Sequence, residues 1–263
     1  MKVLAFINQK GGVGKTTVCV NLARALTLEG FKVLVIDFDP QANASSGLGV
    51  RVKKQQSIYQ AIIEENVESF IKQPFSGLYL LPSSIDLVGL EIELVDYPQR
   101  EYVLRNLIEK GTYLRQPIKE FFDFIFIDSP PSLGLITVNI LTASQGVVIP
   151  LQCEYYALEG LSLLVRTIKG IKKSLNPELM LFGLVLTMYD GRNRLSHEVA
   201  EEAEKHFKWI IFKTRIPRSV KVSEAQSFGK PVIDYDRQNR VSLAFKELSL
   251  EFLDRIRERQ TLG

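Results

Sequence analysis

At 263 residues, with 46% hydrophobic and 24% charged side chains, the chain has an ordinary globular composition and is long enough for one large α/β domain or two small ones. No apolar run approaches the roughly 20 residues of a membrane-spanning helix, and the first strand starts almost at Met1 with no cleavable signal ahead of it, which points to the cytoplasm. The formal charge of +3 conceals an asymmetry: Lys205 to Lys230 holds seven Lys or Arg against one Glu, a local +6 that leaves the remainder at −3 and hints at an anionic partner for one surface.

The predicted elements begin with the apolar run VLAFIN (3 to 8), followed by a glycine-rich stretch and a helical pattern from Thr16 to Leu28. KVLVIDFD (32 to 39) is the second strand. Residues 57 to 120 read as mainly helical around one further strand in GLYLLP. FDFIFID (122 to 128) and GVVIPL (146 to 151) follow, then a helix from Leu158 to Leu175 stopped by Asn176-Pro177, then LFGLVLTM (181 to 188). Nearly continuous apolar strands alternating with helices predict a predominantly parallel, twisted sheet covered by helices on both faces. There is no internal repeat and no low-complexity linker, so one domain spanning 1–263 is expected. Its last element is an amphipathic helix over 241–259, whose Glu247, Glu251, Asp254 and Glu258 suit docking onto the domain better than an anionic membrane. Cys19 and Cys153 stand in apolar sequence without a second cysteine or histidine at metal-ligand spacing, and read as core residues.

The stretch NQKGGVGKTT (8 to 17) carries chemistry. A strict phosphate loop would place a glycine at position 9, where Gln9 stands. The physical parts are nevertheless complete: a strand ends at Asn8, the backbone amides of Gly11, Gly12, Val13 and Gly14 can converge on a phosphate, and a helix opens at Lys15. In that geometry Lys15 reaches the β- and γ-phosphates of a nucleotide, Thr16 ligates Mg²⁺ and Thr17 lies near the α-phosphate. Asp37 and Asp39 end the second strand, separated by one residue. Following a phosphate loop, they lie at the carboxyl edge of the sheet, where open α/β folds bind ligands. Asp128 closes FIFID as an acid that holds a metal-bound water would, or as a cap for the helix after Ser129-Pro130-Pro131.

KGGVGKTT resembles the deviant Walker A box of the ParA/MinD ATPases. VLVIDFDPQANASSGLG, FIFIDSPPSLGLITVNIL, PLQCEYYALEGL, NPEL, LTMYDGR and IPRSVKVSEAQSFGKPVIDYD resemble, in order, the Soj-like partition branch of that P-loop NTPase family. The resemblance covers residues 1 to about 236. It implies ATP and Mg²⁺ as cofactors, with Asp39 positioning or activating the attacking water and Asp37 supporting Mg²⁺ through water. Lys10 is implied to cross a homodimer interface to the other subunit's nucleotide, and Glu154 to face that interface or the ribose, although either could be an ordinary loop lysine or helix cap. The adenine is expected near Thr187, Met188, Pro217, Arg218, Ser219 and Val220. Arg192 and Lys221 match DNA-contacting positions of the family and Arg218 stands beside Lys221 in the basic segment, so non-specific double-stranded DNA and a ParB-like protein are the implied partners. Stable membrane association is not expected, and the implied location is the nucleoid within the cytoplasm. Gln226 departs from the family's usual SEAPS, where a proline stands. A MinD-like membrane-associated positioning ATPase, or a ParA-like positioner of protein cargo, is the alternative reading.

Overall fold

The computed structural model describes residues 2–52, 55–154 and 157–261. Among the described residues nine strands lie in chain order at β1 (Val3–Phe6), β2 (Val33–Asp37), β3 (Lys72–Phe75), β4 (Leu78–Leu81), β5 (Thr112–Tyr113), β6 (Gln116–Pro117), β7 (Phe124–Asp128), β8 (Gly146–Gln152) and β9 (Met180–Thr187). Seven of them form one sheet in the order β3-β4-β2-β7-β1-β8-β9, parallel throughout except for β3, which runs antiparallel to β4 at one edge. The strands β5 and β6 form a separate two-stranded ribbon. The α-helices are α1 (Lys15–Leu28), α2 (Asn43–Gly47), α3 (Ile58–Ile63), α4 (Leu87–Glu93), α5 (Val103–Lys110), α6 (Ile118–Phe121), α7 (Leu135–Ala143), α8 (Ala157–Ser174), α9 (Arg194–Phe207), α10 (Val220–Ser227), α11 (Val232–Tyr235) and α12 (Arg240–Thr261).

Alternation along each strand divides the apolar residues between two cores. In β1 and just after it, the side chains of Val3, Ala5 and Ile7 join α3, α5, α7, α8 and α9 on one face, while Leu4 and Phe6 join α1, α11 and α12 on the other. Strands β2 and β7 split likewise, with Leu34, Ile36, Ile125 and Ile127 on the first face and Val33, Val35, Phe124 and Phe126 on the second. A sheet buried on both sides needs apolar residues at every position, which explains the unbroken runs in the sequence. Cys19 and Cys153 are buried and free.

The α12 helix covers the second core. Phe252 places its ring 5.4 Å from Phe124, 5.8 Å from Phe126 and 5.1 Å from Phe182, centroid to centroid. Arg255 donates to the carbonyl oxygens of Ile210 at 2.6 Å and Ile211 at 3.0 Å, satisfying backbone acceptors beside β9. Across the same core, Arg24 of α1 holds Asp234 of α11 through two hydrogen bonds of 2.7 and 3.0 Å, the bidentate geometry suited to a largely buried guanidinium–carboxylate pair. Asn21, one turn before Arg24, accepts the Val232 backbone N–H at 2.8 Å. Residues 57–117 contain only short helices and strands, including the two 3₁₀ turns Glu68–Phe70 and Arg100–Tyr102.

Phe252→Ala should lower stability by about 3–5 kcal/mol, because it opens a cavity among three rings. Leu250→Ala, at a half-exposed position of the same helix, should cost under about 1 kcal/mol. Urea midpoints of the two variants measure the difference.

Candidate nucleotide site

The site is built where β1, β2 and β7 end together. Asp37 of β2 stands opposite Asp128 of β7 in the parallel register, and both carboxyls are fully buried. The loop after β1 passes over them. Gly12 (φ 75°) and Gly14 (φ 89°) adopt left-handed backbone conformations that a β-carbon disfavours, and Gly14 caps α1. Asn8 anchors the start of the loop by donating to the Pro150 carbonyl at 2.7 Å and accepting the Lys10 N–H at 3.0 Å. Thr187 anchors its far side by donating to the Val13 carbonyl at 2.8 Å.

The two lysines of the loop go to different places. Lys15 is buried, with its ammonium 3.3 Å from the Lys10 carbonyl oxygen. Burial lowers its pKa, against the opposing pull of Asp128 and then Asp39. Lys10 points outward with half its side chain exposed and pairs with Glu154, which also accepts a hydrogen bond from Gln152. Glu154 also accepts the Ala157 N–H on its backbone carbonyl at 3.0 Å. Tyr155 and Tyr156 lie outside the described residues.

Each carboxylate has its own partner. Thr16 donates its hydroxyl to Asp128 Oδ2 at 2.7 Å, while Asp128 Oδ1 is buried without a hydrogen-bond partner. Desolvation raises the Asp128 pKa well above the usual carboxylate range, and the neighbouring Asp37 adds to the rise. Asp37 accepts from the Ser45 N–H at 2.8 Å and the Ser45 hydroxyl at 2.7 Å, but burial outweighs these bonds and pushes its pKa up to about 6. Strand β2 stops at Asp37, so Asp39 leaves the pleat and sits in the following turn, where it accepts the Gln41 N–H at 2.9 Å. One lysine facing three carboxylates leaves surplus negative charge, and an orphaned acceptor points at the same place.

A divalent cation fits this donor set. Among the described residues there is no cluster of three His, Cys, Asp or Glu side chains that would form an all-protein cage. Mg²⁺ needs none, since it usually takes one or two protein oxygens and completes its shell with water and phosphate. Thr17 borders a small cavity between α1, α2 and α10.

The adenine and DNA candidates converge. Pro217, Arg218, Ser219 and Val220 line a cavity of about 740 Å³ together with Tyr189 and Arg192, and Arg240 of α12 closes one side. Met188 is not among its lining residues. It follows β9 directly, in a left-handed conformation (φ 51°) that is uncommon for a side-chain-bearing residue. Arg192 pairs with Asp190 at 3.1 Å and Lys221 with Glu224 at 2.7 Å, both at the surface. Gln226 lies in the last turn of α10, a position where a regular helix accommodates it.

Residues 1–181 match the family described as AAA domain. Over 267 aligned residues the chain is 46% identical to the chromosome partitioning protein ParA of Caulobacter vibrioides, covering 99% of this chain and 97% of the relative. It is 44% identical over 256 residues to the chromosome-partitioning ATPase Soj of Treponema pallidum, covering 97% and 98%. The chain belongs to the ParA/Soj family. A metabolic enzyme shares the fold: cobyrinic acid a,c-diamide synthase from Mycobacterium smegmatis, solved with a bound ATP analogue and magnesium, superimposes with a TM-score of 0.80 at 33% identity over 95% of this chain and 93% of that one. ParA/Soj membership thus rests on the higher identities to the partition proteins rather than on the fold, which is the P-loop NTPase arrangement expected from the sequence.

Ser45, Asn8 and Thr187 carry the second layer of the site and were not singled out as functional by sequence reasoning, except that Thr187 stood beside Met188 as an adenine candidate. The only signal for Ser45 is its place in NASS after DFDPQ.

A raised Asp37 pKa means that its charged form destabilises the fold. The deficit is absent below the unfolded carboxylate range and grows as pH rises through about 6. Without nucleotide or Mg²⁺, Asp37→Asn should therefore melt higher than wild type at pH 7.5, by roughly 2–3 kcal/mol, with the gap closing below about pH 4. Thermal melts across that range test the sign.

Proposed function

We propose that this chain is an ATPase that works as a homodimeric, nucleotide-controlled DNA-binding switch in chromosome or plasmid partition. The observation that carries the proposal is the division of labour between the two loop lysines: Lys15 turned into the carboxylate cluster, Lys10 turned out to the surface beside Glu154. The amides of Gly11 to Gly14, with Lys15, Thr16 and Thr17, hold the phosphates of ATP. Thr16, Asp37 and Asp128 hold the Mg²⁺ site, the last two through water. When bound, Mg²⁺ neutralises phosphate charge and orients the transferred group. Asp39, free of the sheet, orients the attacking water. Lys10 exchanges Glu154 for the nucleotide of the second subunit, where its charge offsets that developing on the transferred phosphoryl group.

Met188, Pro217, Arg218 and Val220 border the base. Arg192, Arg218 and Lys221 contact DNA phosphates without reading sequence, and the dimer brings two such patches together. Their ion pairs with Asp190 and Glu224 are no obstacle, because solvent screens exposed pairs of this kind and DNA phosphates can replace them. A ParB-like protein stimulates hydrolysis, which is slow on its own because it resets the switch. The location that follows is the nucleoid. A MinD-like membrane role is disfavoured by α12, whose Phe245, Leu248 and Phe252 are spent on the core.

Gel shifts of duplex DNA should occur with ATP, and not with ADP or with Lys15→Ala; equal binding in all three removes the switch. Asp39→Ala should keep ATP-dependent dimers in sedimentation while losing turnover, and Lys10→Ala should lose the dimer. Normal hydrolysis by Asp39→Ala, or normal dimers and turnover in Lys10→Ala, would refute the role assigned to that residue.

A further inference from the structure

Two helices from the nucleotide site reach α10 and the segment that follows it, at the end away from Arg218 and Lys221. The first is α2. Asp37 holds it through the two hydrogen bonds from Ser45, and Gly49, just beyond it, abuts Gly229, just beyond α10. The contact is backbone on backbone: a β-carbon on Gly49 would lie 3.0 Å from the Gly229 carbonyl oxygen, and one on Gly229 would lie 2.6 Å from the Gly49 Cα. On the same side, a β-carbon on Gly47 would meet Gln226 of α10 at 3.7 Å. The second anchor is α1, which begins at Lys15 and holds the segment after α10 through Asn21 to the Val232 N–H and Arg24 to Asp234. Thr16, Thr17, Asn43, Gly47, Gln226 and Lys230 enclose one small cavity among the three elements.

We infer that α2 is a lever that couples the nucleotide site to the basic surface: the hold of Asp37 on Ser45 sets α2, and the Gly49–Gly229 contact transmits its position to α10. The α10 helix is eight residues long, about 12 Å at 1.5 Å per residue, with Arg218 and Lys221 at the end opposite the contact. A displacement at Gly229 therefore swings these cations. The α1 tether is continuous with the phosphate loop and serves as the fixed point. Asp37, the carboxylate assigned to the cation, is the one that holds Ser45, so filling the site redistributes the bonds that position α2. Linkage makes the effect reciprocal, and DNA must tighten nucleotide binding by the same factor. The inference rests on the nucleotide and DNA reading given above.

Hydrogen exchange of the phosphate-loop amides and of α10, with and without Mg²⁺ and a non-hydrolysable ATP analogue, tests it on the full chain. In wild type the loop becomes protected and exchange in α10 changes by about five-fold or more. Gly49→Ala and Gly229→Ala should keep the loop response and lose that of α10, together with the preference of DNA binding for ATP over ADP. Gly30→Ala is the control: its φ of 92° imposes the same backbone strain, but no atom lies within 4 Å of the added carbon, so coupling should survive. If neither contact variant folds, Gln226→Ala removes the Gly47 contact without straining the backbone and should weaken the α10 response. An α10 response that persists in the contact variants, or in Gln226→Ala where only that variant folds, overturns the lever. So does a silent α10 in wild type whose loop is protected. A wild-type loop that gains no protection brings down the nucleotide reading itself, and the lever with it.

Discussion

The structure depends on the placement of two buried carboxylates side by side. Parallel pairing of β2 and β7 aligns Asp37 with Asp128 at the carboxyl edge of the sheet. Charge in such a place is costly unless it is paired or hydrogen-bonded. Every nearby polar group answers that cost in part: Ser45 on Asp37, Thr16 on Asp128, and the Lys15 ammonium between the acids and the Lys10 carbonyl. None answers it fully, as the raised pKa of both acids and the orphaned Asp128 oxygen record. A site left short of positive charge is suited to a divalent cation, and the strain of waiting for one is held by the rigid sheet around it.

That rigidity comes from the two cores, which have different tasks. The face formed by α3, α5, α7, α8 and α9 supports the sheet, and there Asn176 donates to the carbonyls of Leu141, Thr142 and Ser144 to close the end of α7. The opposite face holds α1, whose N-terminus is the phosphate loop, and α10 and α11, which carry and follow the basic segment. The α12 helix packs over that face, so the last helix of the chain braces the first. The elements that bind the ligand and those that display the cations thus share one core.

What the sequence made legible follows from the range of the interactions. The strands are readable because burial on both faces writes an unbroken apolar run, and the loop because glycine, lysine and threonine must be adjacent to cradle a phosphate. The partner of Asp37 lies eight residues away and that of Val13 174 residues away, and no local pattern encodes such pairs. Residues 57–117 were harder, because their helices are only a turn or two long and the 3₁₀ segments carry no helical period. The basic segment read as poor in acids, yet Lys205 and Lys221 each find a carboxylate three residues away. The adenine and DNA candidates come from the same two stretches, LTMYDGR and IPRSVKVSEA, which lie far apart in sequence, and the chain folds Arg192 of the first and Pro217 to Val220 of the second around one cavity, with Met188 and Lys221 outside its lining.

The second lysine of the loop shows how little sequence is needed to change what a phosphate site can do. Position 15 opens a helix over the acids, so its ammonium is committed to the interior of its own chain. Position 10 precedes the glycines, and there the backbone carbonyl faces Lys15 while the side chain leaves in the other direction. A cation so placed is turned away from the cradle of its own subunit, and the pair it makes with Glu154 is half-exposed and therefore weak. Its charge is held at the surface at small cost, available to an anion brought from outside. In the proposed dimer that anion is the nucleotide of the other subunit, and the same backbone geometry that buries one lysine makes the other exchangeable.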